Sequence, residues 1–252
     1  MRVGVRAKAV VGEVARRLGY EIRRRSRGPG IGGALHGPVT PTATYSPWNG
    51  DETFLAAYRK VSRHTLVDLY RCWELWSLVA QTRMLSGSLI EVGVWRGGTG
   101  ALIATRAAGC GIAEPVYLCD TTRGVVKASQ EDPGHRGGEH ADTSRRHAEA
   151  LLSGLGLANA RILEGVFPEE TARLVADSAF RFCHIDVDVY RSARESVEWL
   201  WPRLVVGGVV VYDVYGFETC SGVTRWVDEQ ASEADRIVLH NLNGHAVVVK
   251  TR

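Results

Sequence analysis

The chain has 252 residues, 45% hydrophobic and 23% charged, which suits one α/β domain with an N-terminal extension and a full-sized core. Its net charge of +3 is too small to indicate nucleic acid, and no nucleic-acid partner is expected. No apolar run approaches the ~20 residues that cross a bilayer, and no secretory leader pattern opens the chain. Five cysteines without a CxxC pair (Cys72, Cys110, Cys119, Cys183, Cys220) read as reduced thiols, so a cytoplasmic protein is expected.

Residues 1–27 form a basic N-terminal extension with nine Lys/Arg against Glu13 and Glu21. Helical periodicity over 2–25 leaves two readings open, a solvated helix or peripheral contact with an anionic membrane surface. Residues 28–50 hold six Gly and four Pro and read as a linker. Residues 51–252 read as the main domain. It opens with a helical cap over 51–83, whose second helix has an apolar face of Leu66, Leu69, Tyr70, Trp73, Trp76 and Leu78 that suits core packing.

From Ser88 short apolar runs alternate with helical segments. SLIEVG, PVYLCD, ARILEG, RFCHIDVD and GGVVVYDV read as five strands. Between them lie helices over GTGALIATRAAG, DTSRRHAEALLSGLG (capped by Asp142 or Thr143), PEETARLVADS, SARESVEWLWPRL and GVTRWVDEQA. DRIVLHNL and HAVVVKTR close the chain as a hairpin around Asn243-Gly244. The pattern predicts an α/β, Rossmann-like, mostly parallel sheet with an antiparallel C-terminal strand and helices on both faces.

In such sheets ligands bind beyond the carboxyl ends of the strands. Those ends carry Glu91 and Gly93, Asp120, Glu164 and Gly165, Asp186 and Asp188, and Asp213. The turn from Glu91 to Gly100 is Gly-rich but lacks both the Gly-Lys-Ser/Thr ending and the GxGxxG spacing of phosphate loops. Its acid would repel phosphate and suits a cationic ligand, which favours S-adenosylmethionine over NAD. Asp186, Asp188 and Asp213 could together hold Mg²⁺, which would lower the pKa of a hydroxyl nucleophile while a carboxylate removes its proton. His140, in the loop between the second strand and its helix, is a candidate for facing substrate with Lys127 and Glu139, whereas His184, inside the fourth strand, reads as structural.

EVGVWRGGTG, LCDTTRGVVKA, LEGVFPEE, HIDVDVYRSA and WPRLVVGGVVVYDVYGF, in this order, resemble the macrocin O-methyltransferase family from about Trp48 to the C-terminus. The resemblance implies a class I methyltransferase that methylates sugar hydroxyls with S-adenosylmethionine and Mg²⁺, acting on a natural product or a surface glycan as a homodimer. Its expected cofactor contacts are Glu91, Val92, Gly93, Trp95, Gly97, Gly98, Thr99, Asp120, Thr121, Gly165, Val166, Phe167 and Asp186. Asp188 is implied as metal ligand and base, Asp213 as second ligand, and His140 stands beside them as a catalytic candidate. Two departures stand out. The family's paired acids after strand five are here Asp213-Val214, and Thr122 replaces an aromatic. A catalytically inactive cofactor-binding scaffold is therefore the alternative reading.

Overall fold

A computed structural model describes residues 36, 37, 39 and 43–252. The expected basic helix and most of the linker lie outside the described residues. The described residues from 43 onward belong to one compact unit.

Among the described residues seven strands form one sheet: β1 (Ser88–Val92), β2 (Val116–Asp120), β3 (Ala160–Glu164), β4 (Phe180–Ile185), β5 (Leu204–Tyr212), β6 (Arg236–His240) and β7 (Ala246–Lys250), in the order β3-β2-β1-β4-β5-β7-β6. The first five run parallel, and β7 lies antiparallel between β5 and β6. The strand order reverses between β1 and β4, which fixes the crevice expected to receive a ligand.

Both faces of the central strands are apolar because both are covered. Side chains alternate across a strand, so Leu89 and Ile90 enter opposite cores, as do Phe182 and Cys183. One core packs against α1 (Glu52–Val61), α2 (Leu69–Gln81) and α3 (Gly98–Gly109); the other packs against α5 (Tyr190–Leu200) and α6 (Ser221–Gln230). Helix α4 (Arg145–Gly154) follows β2 and adds Leu152 to the first core.

Three expectations about elements change. Helix α2 begins only at Leu69, where Asp68 caps it by accepting from the Tyr70 and Arg71 amides. Its buried face is Arg71, Cys72, Leu75, Trp76 and Val79, while Leu66 and Tyr70 are exposed. Helix α4 is capped by Ser144, not by Asp142 or Thr143. Asp142 instead accepts from the Trp95 indole at 2.8 Å and pairs with Arg96 at 2.6 Å. The stretch after Pro168 forms only a short 3₁₀ turn, Ala172–Val175.

Candidate active site

A cavity of about 310 Å³ opens at the carboxyl ends of β1, β2, β4 and β5, at the switch point. Gly93, Asp120, Asp186, Asp188 and Asp213 come together along its wall. Gly93 has φ +87, and a Cβ there would sit 1.9 Å from the Asp186 carbonyl oxygen. Only glycine lets the β1 turn lie directly against the end of β4.

The Asp120 carboxylate organises the cofactor end. One oxygen accepts from the Val94 and Trp95 amides at 2.7 and 2.8 Å, and the other accepts from the Thr122 amide at 2.6 Å. A carboxylate oxygen offers two lone pairs, so the one held by Thr122 can still accept from a ligand hydroxyl. Val92, Trp95, Thr121, Gly165, Val166 and Phe167 also line this cavity, as expected.

Four expected contacts fall elsewhere. Glu91 is fully buried, does not line the cavity and is bonded to His184 Nδ1 at 2.8 Å, while its Oε2 has no hydrogen-bond partner. Gly97 packs on Ala148, Gly98 against His64, and Thr99 is buried within the start of α3. Lys127 is bound to Glu169 at 2.6 Å and Glu195 at 2.5 Å, and it does not line the cavity.

The far end is shaped by a buried charge network. Arg71 Nη1 donates to Asp213 Oδ2 at 2.6 Å, and its Nε donates to Asp68 at 2.9 Å. His245 bridges Asp213 Oδ1 at 2.7 Å and Glu74 at 2.8 Å. Glu74 is also held by the side-chain amides of Asn241 and Asn243, from the turn of the terminal hairpin. Burial would raise the Asp213 pKa, but the hydrogen bond and charge of His245 and the charge of Arg71 hold it well below the usual carboxylate range. Burial likewise opposes the charge on His245, and its two carboxylate partners nonetheless raise its pKa.

This network corrects the expectation that Asp213 offers a free carboxylate to Mg²⁺. Both of its oxygens are engaged by cationic side chains, and the adjacent position is apolar Val214. The donor set on this side does not fit a hard divalent cation that demands several free oxygens. Val214 also holds φ +56, a conformation that β-branched residues rarely adopt and that Asp and Asn tolerate better.

Asp186 and Asp188 behave differently. Burial, then the neighbouring charges of Asp213 and Asp188, push Asp186 well above the usual carboxylate range. Burial also raises Asp188, against the opposing pull of His135 and His140. His140 does face the cavity, with Nε2 3.8 Å from Asp188 Oδ2.

Arg71, His135 and Cys220 line the cavity without having been singled out from the sequence. A basic residue on an otherwise apolar helix face was the available signal for Arg71. The loop position of His135 matches that of His140, and nothing local distinguishes the two.

The family described as Macrocin-O-methyltransferase (TylF) matches residues 42–241. A Streptomyces olivaceus protein, 8-demethyl-8-(2,3-dimethoxy-alpha-L-rhamnosyl)-tetracenomycin-C 4'-O-methyltransferase, is 28% identical over 169 residues, covering 62% of this chain and 64% of that protein. Demethyldecarbamoylnovobiocin O-methyltransferase of Streptomyces niveus is 24% identical over 186 residues, covering 68% of this chain and 69% of its own length. The chain thus spans about two thirds of these curated relatives. The solved structure of the O-methyltransferase NovP shares the fold, with a TM-score of 0.67 at 22% identity over 75% of this chain and 83% of that one.

Proposed function

Because the chain belongs to the macrocin-O-methyltransferase family, we propose that it methylates a hydroxyl of a sugar on a glycosylated small molecule, with S-adenosylmethionine as donor. The observation that carries this reading is the cavity itself. At the switch point of a parallel sheet, it sets a fixed carboxylate, Asp120, at one end and two carboxylates with raised pKa, Asp186 and Asp188, farther along. One curated relative is named for 4'-O-methylation of a rhamnosyl-tetracenomycin and the other for O-methylation of demethyldecarbamoylnovobiocin, which supports the acceptor class.

The acidic wall suits the donor, which when bound supplies an electrophilic methyl group on a cationic sulfur. Asp120 accepts from ribose hydroxyls, and the backbone of Gly93 to Trp95 packs beside it. Asp186 provides negative charge where a cationic ligand compensates for its burial. Asp188 takes the acceptor hydroxyl proton as the oxygen–methyl bond forms and the sulfur–methyl bond breaks. Its raised pKa makes it a stronger base than an exposed aspartate. His140 lies against the other Asp188 oxygen and stabilises its charge. No step is assigned to Mg²⁺.

Calorimetry with S-adenosylmethionine tests the foundation. The wild type should bind with one site per chain, and Asp120→Ala should bind at least about tenfold more weakly, the loss of one to two hydrogen bonds to a charged group. No binding to the wild type would overturn the proposal. Binding without methyl transfer to any of a panel of rhamnosylated and other glycosylated acceptors would instead support the inactive scaffold.

A further inference from the structure

We propose that His135, Asp188 and Cys220 form a binding site for a borderline-soft divalent cation of the zinc type, facing the cavity. Their ligand atoms all lie within 4.8 Å of one another. Cys220 Sγ is 3.5 Å from His135 Nε2 and 3.8 Å from Asp188 Oδ1. Tetrahedral zinc, with bonds of about 2.3 Å to sulfur and about 2.0 Å to nitrogen or oxygen, spaces a thiolate about 3.5 Å from its neighbours. The three side chains are thus set near coordination distance before any metal arrives.

The loop that carries His135 is built to hold it there. Gly134 lies so close to the Thr219 carbonyl that a Cβ would come within 2.3 Å of its oxygen, which brings His135 alongside Cys220. Asp132, only 1% exposed, anchors the same loop by accepting from the Tyr190 amide at 2.7 Å and from Ser129 Oγ at 3.0 Å. The His135 amide in turn donates to the Asp132 carbonyl at 2.9 Å. When Nε2 of a histidine binds metal, its proton resides on Nδ1 and seeks an acceptor. His135 Nδ1 is buried without a partner, and so is Oε2 of Glu139 in the same loop.

The ligand types decide the metal. A thiolate, an imidazole and a single carboxylate suit zinc or cobalt, whereas Mg²⁺ requires oxygen ligands in octahedral array. Three protein ligands leave a fourth position for water or an acceptor hydroxyl, as in catalytic zinc sites. All three residues line the cavity, so that position is reachable. Among the described residues the other His/Asp cluster, His184, Asp213 and His245, is wholly buried, both Asp213 oxygens are taken by Arg71 and His245, and neither histidine lines the cavity. Metal binding stands by itself; only its service to an acceptor hydroxyl rests on the methyltransferase reading.

The test is titration of metal-stripped full-length protein with Co²⁺, followed by absorption spectroscopy. One equivalent should produce a thiolate-to-cobalt charge-transfer band together with intense tetrahedral visible bands. Zn²⁺ should abolish both, and a large excess of Mg²⁺ should leave them unchanged. Cys220→Ser should lose the charge-transfer band. His135→Ala, with its far-ultraviolet dichroism unchanged, should weaken binding by at least about tenfold. Absence of a charge-transfer band, its persistence in Cys220→Ser, or displacement by Mg²⁺ would overturn the site. Parallel calorimetry with S-adenosylmethionine keeps the two claims apart. Cobalt binding without cofactor binding sinks the methyltransferase reading alone, and the reverse sinks the metal site alone.

Discussion

Asp213→Asn preserves the shape of the side chain and removes the charge at the centre of the buried network. Arg71 then keeps one carboxylate partner, Asp68, beside the Leu66 carbonyl, and the His245 ring keeps one, Glu74. The Arg71 and Asp213 side chains are only 7% and 2% exposed, so water cannot replace the lost partner. Breaking one member out of a buried ion pair costs about 3–5 kcal/mol. With an m value of about 3 kcal/mol/M in urea, the denaturation midpoint should fall by about 1–1.7 M at pH 5.5. The pH dependence gives a second signature. The folded pKa of Asp213 is depressed, so its stabilisation is complete above the unfolded value of about 3.9 and is lost as pH falls towards the folded one. His245 is raised, so its contribution is complete below about 6.5 and is lost as pH rises through the folded value. The gap between wild type and Asp213→Asn should therefore narrow below pH 4, and that between wild type and His245→Gln should narrow at alkaline pH. A midpoint shift under about 0.3 M at pH 5.5, or an Asp213→Asn gap that stays constant down to pH 3, would refute the reasoning.

Val214→Asn should stabilise the protein by about 1 kcal/mol in urea denaturation, because asparagine accepts the positive φ that valine resists; an unchanged or lower midpoint would contradict the strain. Asp186→Asn should raise stability at pH 8 and leave it unchanged below pH 4. A buried aspartate with raised pKa destabilises the fold as pH climbs above its unfolded value, so a pH-independent difference would count against this assignment. In metal-free native protein at pH 8, a thiol reagent should label Cys110, which is partly exposed. Cys220, whose thiol burial and the Asp188 charge push up to about 12, should be spared; mass spectrometry of tryptic peptides that found Cys220 labelled first would refute this.

The sheet was legible from the chain because its signal is local. Each of the five parallel strands is a short apolar run closed by an acid or a glycine, and the alternation with helices leaves little choice of topology. The carboxylates at strand ends were legible for the same reason: Asp120, Asp186, Asp188 and Asp213 do gather at one cavity. Their states were not. Whether Asp213 is free or saturated depends on Arg71 and His245, which lie 142 and 32 positions away, and no periodicity encodes such a pairing. Arg71 also misled the reading of α2, where an apolar pattern placed Leu66 inwards and left the arginine out. Glu91 shows the converse. An acid at a strand end was read as a cofactor contact, yet a histidine inside β4 claims it.

The position of β7 has a consequence for biogenesis. This last strand inserts between β5 and β6 rather than adding at an edge, and the turn before it delivers Asn241, Asn243 and His245 to the heart of the charge network. During synthesis Arg71, Glu74 and Asp213 all leave the ribosome before that turn exists. Until residues 241–250 emerge, the wall of the cavity contains charges with no complete set of partners, and the edge of β5 is open. Assembly of the ligand site is thus coupled to the emergence of residues 241–250. A nascent product that lacks these residues would present an exposed strand edge and an unfinished ionic centre, features that mark it for chaperones and proteases before it can engage a ligand.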